Sequence, residues 1–514
     1  MLGALFRRTF WQLLPAYQIL VALASFKIFT RYTIHFEIFA LIIAFIYGIR
    51  EIKPGKQAKL PGWLLIIGFL LVLATRITPY WDNDLPLGFD AGFYTAAIEQ
   101  YSENDVDNWF IFWSPPGMFT ITNLFKAAGV STKTLVVYFY ILLQLMLAAA
   151  IYVFTKTLFD RNSAILAVIF YALSYAQYVV FHALFFKNVL ALILMLAALT
   201  FILRKQYVFA AITAIALCGI HQPTFLLFGL CYLLYTINIF ISKDRKLLIT
   251  HITAGVAIVF LGLLYYIKAF HALITNQLSG FTTAVGSGAF MDLFTYEFSS
   301  LAYLPFALMG VFILIRARKF NFAFTWWLVS AIIVYFKLVF YNRFIVYLDV
   351  MMIVLAGVAV AQMLTEHKKT TYALMALFII SMATIIIPAA TKQSHHHISP
   401  EEYVFITGIP EITEANASII SNMVEDAPLL IAYSNRTIIA PGLFGQGKWT
   451  LTQWTRYWTA DSFQRIDDLM DQYDRPLYIY LGEKSQRGDI GKFNSTCLTR
   501  IAQQDRMELL RYDC

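Results

Sequence analysis

Apolar stretches of membrane-crossing length recur from the start of the chain to about position 390, separated by short polar turns. A helix needs about 20 residues to cross the hydrocarbon of a bilayer. Thirteen stretches read as spans: 11–30, 33–49, 61–78, 134–158, 163–181, 188–203, 207–220, 223–241, 247–268, 299–315, 322–341, 344–363 and 371–389. Two of them, 188–203 and 207–220, fall short, and are expected to be partly re-entrant or to extend past these limits. After residue 390 the pattern turns polar and the apolar runs shrink to strand length. Leu429–Tyr433, Leu477–Leu481 and Met507–Tyr512 read as strands, and Glu411–Val424 and Ser462–Tyr473 as amphipathic helices. The expected fold is an α-helical polytopic membrane protein of about 13 transmembrane helices over 1–389, followed by an α/β domain over 390–514.

Composition agrees and sets the orientation. Of 514 residues, 59% are hydrophobic and 14% charged, against about 25% charged in soluble domains. That excludes a disordered chain and an ordinary soluble globule. The net charge of +8 lies largely on alternate connections. These carry Arg7 and Arg8; Arg50, Lys53, Lys56 and Lys59; Lys156 and Arg161; Arg204 and Lys205; Lys243, Arg245 and Lys246; Arg316, Arg318 and Lys319; and Lys368 and Lys369. The positive-inside rule makes these connections and the amino end cytoplasmic. The loop 79–133 and the tail are then extracytoplasmic, on an integral protein of the plasma membrane. The start lacks a small-residue cleavage site, so the first span is expected to stay as an anchor. Basic loops of this kind meet anionic lipid headgroups and imply no nucleic acid.

The four cysteines exclude a disulfide scaffold and a cysteine-ligated zinc module. Cys218 and Cys231 read as small buried apolar residues. Cys497 and Cys514 share the outside domain, where a disulfide and free thiols are both open. Three glycosylation sequons begin at Asn416, Asn435 and Asn494, all in the tail. His395-His396-His397 reads as a solvated linker before it reads as a metal tract.

Ionisable groups in or beside spans are costly and so point to function. His182, Lys187, His221, Lys337, Arg343 and Asp349 fall towards the outer ends of their spans. The loop 79–133 sets Asp82, Asp84, Asp90, Glu99, Glu103, Asp105 and Asp107 against Lys126. Carboxylates beside cations at one membrane face suit an anionic lipid headgroup held next to a base. In Leu87-Gly-Phe-Asp90-Ala-Gly-Phe-Tyr94, Gly88 permits a turn and Asp90 stands where a helix begins. Asp is a favoured N-cap, so capping alone also accounts for it. Pro115-Pro116-Gly117 stiffens the entry to an apolar stretch that ends at Gly129, as an interfacial helix does.

These segments resemble the first outer loop of the GT-C membrane glycosyltransferases, which include protein O-mannosyltransferases, aminoarabinose transferases and oligosaccharyltransferase catalytic subunits. The likeness rests on Asp90 with Tyr94, on Pro115-Pro116-Gly117, on Lys187-Asn188 and on Arg343-Phe344. Two features depart from it. Ala91 stands where many relatives carry a second acid, and the tail holds no Trp-Trp-Asp-type acceptor motif. The resemblance implies transfer of a sugar from a polyprenyl-phosphate carrier to a glycan, lipid or protein acceptor. Asp90 is then the catalytic base. Arg343, Lys187, His221 and Tyr94 are then the residues that bind the donor phosphate and sugar. A second acid is sought among Asp82, Asp84, Glu103, Asp105 and Asp107. A divalent cation, magnesium or manganese, is an open expectation with no ligands assigned.

Two further readings complete the sequence. Gly442-Leu-Phe-Gly-Gln-Gly447-Lys448 imitates a P-loop, but Trp449 stands where the magnesium-binding hydroxyl belongs. It reads as a glycine loop, and Trp449, Trp454 and Trp458 as packing residues. The competing function is a transporter or flippase for a lipid-linked glycan, which repeat symmetry and broken midplane helices would favour.

Overall fold

The computed structural model describes residues 2–24, 33–49, 59–81, 83–100, 117–264, 291–318, 320–338, 341–391, 398–440, 448–487 and 490–514. Asp82, Glu103, Asp105, Asp107, Pro115-Pro116, the triple histidine and the glycine loop 442–447 lie outside the described residues. The chain divides into two compact units: 1–81, 115–118 and 139–392, and 82–114, 119–138 and 393–514. The outer loop thus packs with the tail.

Helices overlap all thirteen predicted stretches. They are α1 (Leu2–Ala24), α2 (Thr33–Ile49), α3 (Trp63–Ile77) and, beyond the loop helices α4 (Ala91–Gln100) and α5 (Gly117–Ala127), α6 (Tyr140–Leu158). Then come α7 (Arg161–Leu173), α8 (Tyr175–His182), α9 (Phe186–Leu203), α10 (Tyr207–Cys218), α11 (Gln222–Ile241) and α12 (Arg245–Leu263). The series closes with α13 (Leu293–Ser300), α14 (Leu304–Arg316), α15 (Phe322–Tyr335), α16 (Tyr341–Glu366) and α17 (Lys368–Thr391). Among the described residues, seven helices are long and apolar enough to cross a membrane, or up to nine if the bent pairs α7–α8 and α13–α14 each count as one span. The protein is integral to a membrane. The axis of the unit is α16, packed against α7, α14 and α15. Small residues allow these close crossings, as expected where lipid supplies no hydrophobic drive. A Cβ on Gly310 would stand 2.3 Å from the Leu355 carbonyl oxygen, and one on Gly357 2.7 Å from that of Ser163.

The second unit is built on a five-stranded sheet ordered β2-β1-β3-β5-β4. Its strands are β1 (Ser418–Ser421), β2 (Thr437–Ile439), β3 (Leu477–Leu481), β4 (Leu498–Gln504) and β5 (Met507–Tyr512). The β1–β2 and β1–β3 pairs are parallel, and β3–β5 and β4–β5 antiparallel. Alternation sends Ile419, Tyr478 and Tyr480 into one core, and Ile420, Ile479 and Leu481 into the other. Helices α18 (Pro400–Ile412) and α19 (Ala427–Tyr433) supply the first core, which also takes Leu85 and Phe93 of the outer loop. Trp449, Trp454 and Tyr457 fill the second core, so the tryptophans pack as expected. Cys497 and Cys514 form a disulfide, and Cys218 and Cys231 are buried free thiols.

Three tail assignments are corrected. Leu429–Tyr433 is helical, because Pro428 starts α19 at a position where a missing N–H costs nothing. Glu411–Val424 is no helix. The helix lies upstream, where the Ser399 hydroxyl caps the Glu402 N–H at 3.0 Å, and the stretch itself forms β1. Ser462–Tyr473 forms only a 3-10 turn, Phe463–Arg465, and one short turn, Asp467–Met470.

Past the ends of β1 and β3, two buried carboxyl groups meet. Oδ2 of Asp426 and Oε1 of Glu402 would lie 2.5 and 2.7 Å from a Cβ on Gly482, so any side chain there would push the carboxyl ends aside. Lys484 binds Asp426 at 3.0 Å, and the Tyr480 hydroxyl donates to Glu402 at 2.9 Å. Burial, then the Asp426 charge, push the Glu402 carboxyl up to about 7. The folded state therefore holds a proton that the unfolded state releases at lower pH. Stability falls as pH rises from the ordinary carboxyl range through about 7, and is level above it. Gln at 402 keeps the Tyr480 bond without the proton. Glu402→Gln should flatten this slope and raise stability at pH 8 by about 3 kcal/mol at most. Thermal unfolding of the detergent-solubilised chain across this pH range checks it; parallel curves for both proteins would refute it.

Candidate functional site

Three of the four predicted donor-binding residues converge in the helical unit. Lys187 lies in the first turn of α9, Arg343 in the first turn of α16, and His221 immediately before α11. Each is placed by a helix end. The turn into α9 passes through Leu184, whose φ of +55° is unfavourable for a branched side chain and is held by its complete burial. His221 has an extended backbone as N-cap, with Pro223 in the first helical turn. The charges of Lys187 and Arg343 both act on the His221 ring.

Polar neighbours complete the cluster. Nδ1 of His221 and Oγ1 of Thr224 are 2.8 Å apart, and the Thr224 hydroxyl is 2.8 Å from that of Tyr347. The Trp326 indole N–H donates to the Tyr347 carbonyl at 3.1 Å. Several atoms are buried without a partner among the described residues: Nε of Arg343, the amide nitrogen of Asn188 and Oδ1 of Asn342. The unused Nε of Arg343 and the unused amide of Asn188, with the charge of Lys187, can cradle an anion. Tyr347 and Thr224 were not singled out from the sequence, though Tyr347 lies one helical turn from Arg343 on the same face.

The Pro-Pro-Gly motif reaches this neighbourhood by its backbone. The Gly117 N–H donates to the Gly219 carbonyl at 2.8 Å, two residues before His221. A Cβ on Gly117 would lie 2.6 Å from that same oxygen.

Asp90 and Tyr94 belong to the second unit. Gly88 makes the turn with φ +82°, and Asp90 stands before α4, its carbonyl accepting the Tyr94 N–H at 3.0 Å. The Asp90 side chain is half-buried, and Tyr94 is buried. Helix α4 is pinned to the tail domain at Gly92, where a Cβ would lie 2.1 Å from the Pro428 carbonyl oxygen. Of the other acids, Asp84 forms an exposed ion pair with Lys133, a base the sequence reading of the loop passed over. Partial burial pushes the Glu99 carboxyl up, but hydrogen bonds from Lys126 and Thr132 outweigh it and hold it below its ordinary value. Among the described residues no three His, Cys, Asp or Glu side chains group as metal ligands.

No protein-family model and no curated protein matches the sequence. Solved structures match it over most of its length. The oligosaccharyltransferase AglB of Archaeoglobus fulgidus, in complex with an inhibitory peptide and a dolichol-phosphate, superposes with a TM-score of 0.61 at 12% identity, over 81% of this chain and 69% of that one. ArnT of Cupriavidus metallidurans bound to undecaprenyl phosphate gives 0.60 at 12% identity, over 87% of this chain and 97% of that one. The fold is that of the GT-C glycosyltransferases. The mycobacterial arabinofuranosyltransferase AftD extends the likeness, with a TM-score of 0.52 at 13% identity, covering 88% of this chain and 42% of that one. Identities this low carry the GT-C fold and no residue roles.

The close backbone approach gives a direct test. Gly117→Ala should force Gly117 and Gly219 apart and cost about 1–3 kcal/mol, as overpacking does. Unchanged thermal unfolding of the variant would show that the 2.8 Å bond is not maintained.

Proposed function

We propose that the protein is a glycosyltransferase moving a sugar from a polyprenyl-phosphate carrier to an acceptor at the extracytoplasmic face. The observation that carries this reading is the convergence of Lys187, His221 and Arg343, with unused donors beside them, in a GT-C fold. The bound lipids of AglB and ArnT, dolichol-phosphate and undecaprenyl phosphate, support a carrier of that class. The amino end is then cytoplasmic and the tail outside, as the alternating basic connections require.

In the proposed reaction the acceptor nucleophile attacks the anomeric carbon of the donor. Asp90 takes the proton the acceptor loses as its bond to the sugar forms. The bond from the sugar to the phosphate oxygen breaks, and the carrier phosphate leaves with increased negative charge. Arg343 meets that charge with a planar fork of donors, and Lys187 with a point charge. His221 and Asn188 add hydrogen bonds, and Tyr94 lines the donor sugar.

The two bent spans favour a second reading, a carrier or flippase for the same lipid, since broken helices are a transporter feature. One experiment separates the two. Native mass spectrometry of the purified chain should show a co-purified polyprenyl-phosphate sugar that Arg343→Ala loses. Asp90→Asn should keep that lipid and stop its consumption when acceptor-containing membrane extract is added. Wild-type consumption by Asp90→Asn removes Asp90 from the base role. Equal retention of the lipid by Arg343→Ala moves the phosphate away from this cluster. Lipid that crosses vesicle membranes without losing its sugar supports the carrier.

A further inference from the structure

Two spans of the helical unit are broken, and both breaks end on one carboxylate. Ser174 separates α7 from α8, which diverge by 56°. Tyr303 stands at the start of α14, which turns 84° from α13. Asp349 of α16 accepts a hydrogen bond from the Ser174 hydroxyl at 2.8 Å, one from the Gln177 amide at 2.9 Å and one from the Tyr303 hydroxyl. The same Gln177 amide reaches the Val346 carbonyl at 3.2 Å, so the broken span meets α16 at two levels. Asp349 was expected near a span end, but it is the ninth residue of α16 and wholly inaccessible.

The contact is built for this bend. Oγ of Ser174 accepts the Gln177 N–H at 3.2 Å as the N-cap of α8 while it donates to Asp349. A cap residue in the middle of an apolar span ends one helix and starts the next. From that cap, α8 runs eight residues to His182, and the Leu184 turn leads directly to Lys187. On the other side Asp349 shares α16 with Arg343, six residues or about 9 Å away along the axis. The carboxylate therefore ties the segment that ends at Lys187 to the helix that carries Arg343.

We infer that Asp349 is a positioning residue that sets the spacing of Lys187 and Arg343 around the donor phosphate; this rests on the phosphate-cluster reading above. Its bonds, and not its charge, perform the task. Asn at 349 keeps an acceptor for Ser174 and Gln177, and its NH2 can donate to the Tyr303 oxygen. Ala leaves the Ser174 and Tyr303 hydroxyls unmatched in an apolar interior and the Gln177 amide with the Val346 carbonyl alone.

The test measures binding of undecaprenyl phosphate, the probe, to the purified full-length chain in detergent. Asp349→Ala should weaken binding about tenfold and Asp349→Asn less than about twofold, as the loss or retention of a hydrogen-bonded pin requires. A double-mutant cycle supplies the readout that general loosening does not move. Lys187→Ala should weaken the wild type about tenfold but the Asp349→Ala protein less than about twofold, because Lys187 no longer reaches the phosphate there. Ser174→Ala, which removes one of the three bonds, should show the same loss of coupling at smaller size and serves if Asp349→Ala does not fold. Equal cost of Lys187→Ala in both backgrounds overturns the inference. So does an Asn variant as weak as Ala, which would assign the role to the charge.

Spin labels at Ala183 and Tyr341 report the pin without ligand. Their distance distribution should be narrow in the wild type and Asp349→Asn, and broad in Asp349→Ala; a narrow distribution in all three also overturns the inference. A wild type that binds no probe sinks the phosphate reading, while these distances still decide whether Asp349 holds the two segments.

Discussion

Hydrocarbon offers a polar group no partner, and that constraint shapes the helical unit from within. Asp349 is its clearest expression. Two interrupted spans are tolerable because their interrupting residues, Ser174 and Tyr303, bond to one buried carboxylate. The carboxylate in turn is tolerable because three donors meet it. Arg76 solves the same problem differently. It is wholly buried, and its guanidinium lies 5.4 Å from the ring centres of both Tyr178 and Phe181 and 6.0 Å from that of Tyr171. Aromatic faces take the place of a carboxylate. Both ionisable groups are thus held where the fold supplies side chains that offset their burial. Several buried polar atoms lack a partner among the described residues, and two of them, Nε of Arg343 and the amide nitrogen of Asn188, lie in the cationic cluster.

The second unit follows the same accounting with water nearby. Its parallel strands β2, β1 and β3 lead to a shared edge where Glu402, Asp426 and Lys484 gather. Its first core also fixes the outer-loop helix. Phe93 enters that core, and Gly92 lies directly against the Pro428 backbone. Asp90, one residue ahead of α4, therefore stands on an element that packs into the tail domain. The proposed base and the proposed phosphate cluster are held by different compact units, each with its own reason to be rigid.

Much of this was legible in the sequence, for identifiable reasons. Long apolar runs have one stable form in lipid, so helices overlap all thirteen stretches among the described residues. Tail runs of five residues carry no such constraint. Leu429–Tyr433 fits a strand or a buried helix equally by hydrophobicity, and Pro428 was the signal that decided it. Ser399-Pro-Glu-Glu402 was a readable helix start that the apolar pattern of 411–424 obscured. Lys187, His221 and Arg343 are far apart in sequence, so their meeting could come only from resemblance or from the fold. Asp349 was misread because depth in a span is counted from an assumed edge. Ser174, a capping residue inside an apolar run, was the overlooked sign that the span breaks there.

The broken spans also bear on what kind of machine this is. A carrier uses a break as a binding site, leaving carbonyls and polar side chains free to hold cargo and to let go. Here the Ser174 hydroxyl is engaged on both sides, by Gln177 and by Asp349, and the Tyr303 hydroxyl is bound to the other carboxylate oxygen. Breaks whose polar groups are already paired hold a shape rather than a cargo. Unused donors also stand at the starts of α9 and α16, where cations gather. Fixed breaks that support a fixed cluster of cations suit a site that must hold a leaving phosphate in one geometry, which is the requirement of transfer chemistry rather than of transport.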